Sequence, residues 1–259
     1  MRILICMKLV SQAQFTDFLR ETVPDRLQGG QLGLNPADMY TLELALRRKD
    51  AAPDTHITVL SMGPEAAEVE LRKTLAMGAD EAVLVSDPAF AGADTLRTSA
   101  VLAAAIRRLE TPDLILCGQK ALDSETGHIG PQLAVRLRIP AVTNVTALRH
   151  VEAGFELDRA QDNGMVRLWA PLPFLATVCL RAELVRNPSL AGMRRSRDWA
   201  VRRLDAAALA GELLSPSGTE TAEIRQLRFA RRAHRATDQA DEGLEELLRL
   251  LPKREGGQP

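Results

Sequence analysis

The feature that most constrains the fold is a regular alternation of short apolar runs with helix-like segments over residues 1–145. Continuous apolar runs, which indicate strands buried on both faces, occupy residues 3–10, 56–61, 82–85 and 113–117. Helical spacing of apolar residues is found between them, over residues 36–48, 65–77, 95–109 and 127–137. This order predicts an α/β protein with a doubly wound, mainly parallel sheet.

A different pattern begins near residue 141. Extended segments flank Asp162-Asn163-Gly164, which is a strong hairpin-turn signal, and a further buried strand follows at residues 175–180. We therefore expect an antiparallel extension of the parallel sheet. Beyond residue 180 the pattern becomes irregular, so the predicted division is an α/β domain over 1–180 and a C-terminal arm over 181–259. Within the arm, residues 241–251 have the leucine spacing of a terminal helix.

Charge and composition exclude several classes of protein. The net charge of -1 and the 3% aromatic content argue against nucleic-acid binding, which needs a basic excess or stacking platforms. No apolar run is long enough to cross a membrane, and the first residues lack a secretory pattern, so we expect a cytoplasmic protein without membrane insertion. The dispersed cysteines Cys6, Cys117 and Cys179 fit neither a zinc ribbon nor a disulfide scaffold, and no metal site is predicted.

Residues 113–140 are the segment richest in chemistry, since they predict a strand, a polar loop and then a helix. Ligands of doubly wound sheets lie outside the carboxyl ends of the strands, which is where this loop falls. Gly118 permits a close backbone approach, the hydroxyls of Ser124 and Thr126 are suited to hydrogen-bond a phosphate, and the helix amides favour an anion. The alternative is that residues 124–126 only cap the helix. Neither the P-loop nor the Rossmann glycine pattern is present.

The acids and the histidine of this loop leave other interpretations open. Asp123 and Glu125 are candidates for a carboxylate pair or a magnesium site, although a cap plus a surface acid is commoner. His128 is a candidate base, with a surface helix histidine as its alternative. No serine–histidine–aspartate set is indicated. The loop by itself therefore does not define a reaction.

Four blocks of the sequence resemble the electron-transfer flavoprotein β-subunit family. Residues 118–131 are similar to its adenine-nucleotide loop, close to G-K-Q-A-I-D-x-D-x-x-Q-x-G, although Gln119-Lys120 reverses the lysine–glutamine order. The other blocks are a first strand with its lysine (3–10), an N-P-x-x-x-x-A-x-E-x-A helix start (from 35) and an S-x-G-P…A-L-A-M-G-A-D segment (61–80). Together the resemblance covers about residues 1–200.

The resemblance implies a subunit that is not an enzyme by itself. It pairs with an α subunit, the heterodimer holds FAD for electron transfer, and the β subunit buries one AMP as a structural ligand. A second FAD takes the AMP position in flavin-bifurcating members of the family. Carried over by position, the nucleotide-binding residues are Cys6, Asn35, Pro36, Ala37, Asp38, Met62, Gly118, Gln119, Lys120, Ala121, Leu122, Asp123, Ser124, Glu125, Thr126, Gly127, His128 and Ile129.

The resemblance also implies partner docking. Residues 186–197 are similar to the family's recognition loop, and Leu190 falls on the leucine that anchors flavin-dependent dehydrogenases, from which electrons pass to a downstream acceptor. From the residues alone, Leu190 is better explained as a loop residue that packs locally. Residues 11–15 are the candidate for contact with the flavin of the α subunit. The arginine-rich block at 225–235 has no counterpart in the family pattern.

Three functional hypotheses follow. The leading one is an electron-carrier β subunit with bound AMP. The second is a bifurcating version with FAD in the same place. The third, from another class, is a stand-alone adenine-nucleotide sensor or hydrolase, and the absence of a P-loop or a clear base argues against hydrolysis.

Overall fold

The computed structural model describes residues 1–11, 32–181, 183–212 and 215–220, together with the single positions 244 and 249. The chain divides into two compact units, Met1–Thr221 and Ala222–Pro259. In the second unit only Leu244 and Arg249 are described, and both are helical. The rest of the helix predicted at 241–251 lies outside the described residues.

Eleven strands are formed by the described residues of the first unit. They are β1 (Arg2–Cys6), β2 (Leu9–Ser11), β3 (Leu32–Leu34), β4 (His56–Met62), β5 (Glu81–Val85), β6 (Leu114–Gly118), β7 (Ala141–Val151), β8 (Gly154–Gln161), β9 (Gly164–Pro171), β10 (Phe174–Val178) and β11 (Arg202–Leu204). The α-helices are α1 (Pro36–Ala51), α2 (Glu68–Met77), α3 (Thr95–Arg107), α4 (Ile129–Leu137) and α5 (Leu190–Ser196). Short 3-10 turns precede α2 and α3, at Glu65–Ala67 and Pro88–Phe90.

Nine of the strands form one sheet in the order β11-β5-β4-β1-β6-β10-β7-β8-β9. All pairs from β11 to β7 are parallel, whereas β7, β8 and β9 form an antiparallel meander. The hairpin between β8 and β9 turns at the predicted Asp162-Asn163-Gly164. The predicted mainly parallel sheet with an antiparallel extension is therefore confirmed.

Both faces of the parallel part are covered, as the continuous apolar strands predicted. One core layer contains Ile3 and Ile5 of β1 with Tyr40 of α1 and Leu71 of α2. On the opposite face, neighbouring residues of the same strands pack against α3 and α4. Because strand side chains alternate between faces, each central strand contributes to both layers. No helix among the described residues has the length and apolarity needed to cross a bilayer.

Three details differ from the sequence prediction. The run at 3–10 is not one strand, because β1 ends at Cys6 and the short ribbon of β2 and β3 begins at Leu9. The segment between them turns away from the main sheet, since the Lys8 amide donates to Asp38 of α1. In the region predicted to be irregular, α5 and the edge strand β11 are regular elements. Both are only a few residues long, too short to produce a clear periodicity.

Candidate functional site

The predicted nucleotide residues meet at the carboxyl edge of the parallel sheet. Strands β1, β4 and β6 end there at Cys6, Met62 and Gly118, and pairing in register brings Cys6 beside Cys117. The start of α1 and the loop between β6 and α4 complete this edge. All eighteen predicted positions lie on these segments: Cys6, Asn35, Pro36, Ala37, Asp38, Met62, Gly118, Gln119, Lys120, Ala121, Leu122, Asp123, Ser124, Glu125, Thr126, Gly127, His128 and Ile129.

Asn35 fastens the loop to the start of α1. It occupies the N-cap position before Pro36, but its side chain makes no capping hydrogen bond. Instead its Oδ1 accepts from the Leu122 amide and its Nδ2 donates to the Lys120 carbonyl, both at 3.2 Å. Asn35 and Pro36 thus occupy the N-cap and first positions of α1, and the side chain of Asn35 bonds to the loop instead of to the helix. Both polar atoms of the side-chain amide are thus used in long-range contacts, across 85 and 87 residues of sequence.

Asp38 is buried at the centre of the site. Its Oδ2 accepts from the Lys8 amide at 2.8 Å, and its Oδ1 accepts from the Gly118 amide at 3.0 Å. Burial raises the pKa of Asp38 to about 7, although these hydrogen bonds and one from Asn35 favour the carboxylate. A carboxyl group that changes charge near neutral pH therefore joins β1, α1 and β6.

Gly118 is required by the helix that lies against it. A Cβ at this position would lie 2.2 Å from Oδ1 of Asp38 and 2.9 Å from Cβ of Ala37. The close backbone approach expected here is thus made by α1, a partner that the local sequence does not reveal. The glycine lets the end of β6 and the first turn of α1 come together.

Each acid of the loop has a lysine partner. Nζ of Lys8 lies 2.6 Å from Oδ1 of Asp123 and 3.4 Å from Oγ of Ser124, and Nζ of Lys120 lies 3.0 Å from Glu125. The carboxylates are therefore compensated before any anion arrives. Lys8 is a site residue missing from the predicted set. Its sequence signal is the lysine within residues 3–10, which belongs to the first block of the family resemblance.

The start of α4 is open to an anion. The helix begins at Ile129, and its N-cap residue His128 makes no side-chain capping bond. Capping by residues 124–126, the alternative left open by the sequence, is wrong. The backbone amides of residues 126–129 donate to no other residue that the structure describes. Unpaired amides at a helix start carry partial positive charge, which favours a phosphate.

Two predicted residues have other contacts. Gln119 donates from Nε2 to Oδ1 of Asn144 at 2.9 Å, and its amide donates to the carbonyl of Val178. Nδ1 of His128 lies 3.4 Å from Oγ1 of Thr95. Gln119 therefore links the loop to β7 and β10. Of the flavin-contact candidate at 11–15, residues 12–15 lie outside the described residues.

A second candidate site is formed by α5. Leu190 is 80% exposed at its first turn, and Met193, one turn later, is 51% exposed. Ser189 caps the helix by accepting from the Gly192 amide at 2.9 Å. Local packing of Leu190, the sequence-level alternative, is contradicted by this exposure. The helix presents an apolar ridge made of Leu190 and Met193.

Helix α2 holds α5 in place. A Cβ on Gly192 would lie 2.0 Å from the carbonyl oxygen of Ala76, so the two helices are in backbone contact there. At the other end, the guanidinium of Arg72 donates to the carbonyls of Ser196 at 3.2 Å and Trp199 at 2.6 Å. Arg72 thus satisfies carbonyl groups that a helix end leaves without partners.

The segment leading to α5 is fixed to α1 by charge. Arg186 donates to the buried Glu43 at 2.9 Å and to Asp50 at 2.7 Å. Burial of Glu43 opposes its ionisation, but hydrogen bonds from Arg186 and Arg47 outweigh burial and lower its pKa. Hydrogen bonds to Asp50 and then to Glu43 raise the pKa of Arg186.

The rim of the apolar ridge is basic. Arg194, Arg195 and Arg197 are exposed, and none forms an ion pair with another residue in the described part of the chain. An exposed apolar ridge surrounded by arginines that lack an acidic partner among the described residues is suited to a binding partner with an apolar pocket and an acidic rim.

Comparison with known proteins assigns the family. The electron transfer flavoprotein domain model matches residues 27–209. The chain is 37% identical over 221 residues to the electron transfer flavoprotein subunit beta of Megasphaera elsdenii, covering 82% of this chain and 81% of the relative. It is 40% identical over 193 residues to the caffeyl-CoA reductase-Etf complex subunit CarD of Acetobacterium woodii, covering 74% of each.

A third relative is the acryloyl-CoA reductase electron transfer subunit gamma of Anaerotignum propionicum, which is 37% identical over 185 residues, covering 70% of this chain and 68% of the relative. These relatives are named as subunits of electron-transfer complexes. The matched region contains both the loop between β6 and α4 and the helix α5. The chain therefore belongs to the electron transfer flavoprotein β-subunit family.

Proposed function

We propose that this chain is an electron-carrier subunit rather than an enzyme by itself, and that it works in the cytoplasm as one half of a heterodimer. It binds AMP as a structural ligand, shapes the FAD site of an α-type subunit and docks flavin-dependent dehydrogenases. FAD supplies the redox chemistry when it is bound, and a downstream acceptor receives the electrons. The chain's own residues bind the nucleotide, shape the site of the FAD and dock the dehydrogenase.

The single observation that carries the proposal is the loop fastened to the carboxyl edge of the sheet. Asn35 holds its backbone at Lys120 and Leu122, while Lys8 compensates Asp123. The open amides of residues 126–129 and the hydroxyl of Ser124 are suited to an adenine nucleotide's phosphate. The residues present therefore fit a nucleotide.

Docking is assigned to α5. Leu190 and Met193 form the apolar contact, and the surrounding arginines orient an acidic partner surface. Because Arg72 and Arg186 fix the ends of this segment, little conformational entropy is lost when a partner binds.

A bifurcating carrier with FAD in the AMP position is the second candidate. Its support comes from the relatives named as subunits of caffeyl-CoA reductase and acryloyl-CoA reductase complexes. The loop geometry serves either ligand, since both contain an adenosine phosphate. A stand-alone nucleotide sensor is less well supported, because nothing in its function requires the exposed ridge of α5.

The test is co-expression with an α-type subunit, followed by denaturing release and mass identification of the ligands. One FAD and one AMP per heterodimer is the expected result. Two FAD molecules would replace the AMP assignment with the bifurcating one. A chain that forms no complex, carries no flavin and binds ATP alone would overturn the carrier function in favour of the sensor.

A further inference from the structure

Asp38 connects three segments at the carboxyl edge of the sheet: the residues after β1, the first turn of α1 and the end of β6. Its two carboxylate oxygens accept from the amides of Lys8 and Gly118, 30 and 80 residues away in sequence. The side chain is only 5% exposed, so it is enclosed by the protein. Both carboxylate oxygens are thus engaged by backbone amides within the protein, and the family resemblance places Asp38 among the nucleotide-binding residues.

Asp38 fixes the backbone on which the site is built. The Lys8 amide fixes the residue whose ammonium reaches Asp123 and Ser124, and the Gly118 amide fixes the first residue of the loop. Both sides of the loop entrance thus depend on one carboxylate. Asn35, three residues earlier on the same turn, holds the middle of the loop.

We propose that Asp38 is a positioning residue of the nucleotide site, and that adenine nucleotide binds tightly only while its carboxylate is ionised. This inference rests on the proposed function. An ionised carboxylate accepts from both amides, one at each oxygen. A protonated carboxyl carries an O–H group on one oxygen, which makes that oxygen a much weaker acceptor for its amide and so weakens one of the two contacts.

The surroundings of Asp38 allow both forms near neutral pH. Burial raises its pKa to about 7, against the opposing effect of the two amides, of Asn35 and of the Lys8 ammonium. On β6, a hydrogen bond with Cys6 and burial raise the pKa of the Cys117 thiol, so Cys117 remains neutral. Asp123 lies beyond Lys8, which is paired with it.

The experiment measures the affinity of the ligand-stripped heterodimer for AMP and for adenosine between pH 6 and pH 8. Adenosine is included because the phosphate of AMP titrates near pH 6. If only the ionised form binds, affinity rises about tenfold from pH 6 to pH 8, following the ionised fraction of a group that titrates near pH 7. Asp38→Asn, which resembles the protonated form, is expected to bind weakly with a flat adenosine profile.

Asp113→Asn is the matched control. Oδ2 of Asp113 accepts from the Arg2 amide at 2.8 Å, which is the same kind of carboxylate contact between β6 and β1, at the opposite edge of the sheet. The Asp113→Asn variant should show the same dependence of adenosine affinity on pH as the unmodified protein. If Asp38→Asn does not fold, the test is the adenosine affinity of the unmodified protein between pH 6 and pH 8. An affinity that does not change with pH overturns the inference.

The two failures are distinguishable. Tight binding with a flat adenosine profile, or an Asp38→Asn protein that binds like the unmodified one, overturns the role of Asp38 and leaves the proposed function intact. Failure of the unmodified heterodimer to bind AMP, adenosine or FAD at any pH overturns the nucleotide function, and the role of Asp38 with it.

Discussion

The ammonium of Lys8 lies 2.6 Å from Oδ1 of Asp123, although 115 residues separate them in sequence. The Asp123 side chain is largely buried, whereas that of Lys8 is partly open to solvent. This ion pair joins the segment that follows β1 to the loop between β6 and α4. It also cancels the charge that would otherwise repel a phosphate.

Replacing Lys8 with methionine should weaken AMP binding by about 10- to 100-fold, the range expected when a buried charge loses a hydrogen bond of about 1.5–3 kcal/mol. Calorimetric titration of the heterodimer measures the effect. Lys73→Met is the control, because Lys73 pairs with Glu70 on α2 and not with the loop. Equal affinities of the two variants would contradict the role of Lys8.

Gly118→Ala should destabilise the fold by about 1–3 kcal/mol, as overpacking of a tight contact does. The added Cβ would overlap Oδ1 of Asp38 and Cβ of Ala37. Denaturant unfolding of the free chain measures the loss. Gly63→Ala at the same edge of the sheet meets only an ordinary contact of 3.6 Å with Ala67, so it should be nearly neutral. Equal stability of the two variants would show that α1 shifts to accommodate the added Cβ at Gly118 at little cost in stability.

Arg72→Met should loosen α5 without unfolding the sheet, since the carbonyls of Ser196 and Trp199 lose their donor. Hydrogen exchange followed by mass spectrometry should show faster exchange in peptides covering residues 190–199 and unchanged exchange in β1 and β6. Lys73→Met, one residue further along α2, should leave all of them unchanged. Unaltered exchange of α5 in Arg72→Met would show that the hydrogen bonds from Arg72 do not stabilise this helix.

Leu190→Ala should raise the KM of a partner dehydrogenase for the carrier by about tenfold or more, the effect expected for an anchor residue worth about 2 kcal/mol. FAD content should be unchanged, because Leu190 is exposed and supports no core. Val135→Ala on α4, which removes an equally exposed side chain (78%), is the control. Unchanged coupling in Leu190→Ala would remove the anchor assignment.

The buried Asp38 should make the stability of the free chain depend on pH. Its pKa in the folded state is raised from 3.8 to about 7, so the folded chain binds the proton more tightly than the unfolded chain does. The resulting stabilisation is complete below pH 3.8 and is lost as pH rises to 7. Between pH 5 and pH 8 the unmodified chain should therefore lose about 2–3 kcal/mol relative to Asp38→Asn.

Urea unfolding of both chains at the two pH values measures this difference. Because the asparagine side chain of the variant does not titrate, the change in its stability between pH 5 and pH 8 reports every other group. Parallel changes in the two proteins would show that Asp38 does not titrate in this range.

Residues near one another in sequence made the fold class predictable. The continuous apolar runs around β1 and β6 identified buried parallel strands, and Asp162-Asn163-Gly164 identified the hairpin, because both signals are local. The loop after β6 was recognisable for the same reason. The elements missed, α5 and β11, are short and stabilised by α2 and β5 rather than by their own residues.

What the sequence by itself determined is which residues follow the buried strands and so lie at the carboxyl edge of the sheet, since the end of each strand and the loop after it follow from hydrophobic patterning. Only the tertiary structure decided what those residues do there. It gave the side chain of Asn35 its hydrogen bonds to the loop, paired Lys8 with Asp123, packed α1 against Gly118 and left Leu190 exposed. The physical reason is that these roles depend on hydrogen bonds, charge pairing and steric contact between segments tens of residues apart, and no local pattern records such contacts.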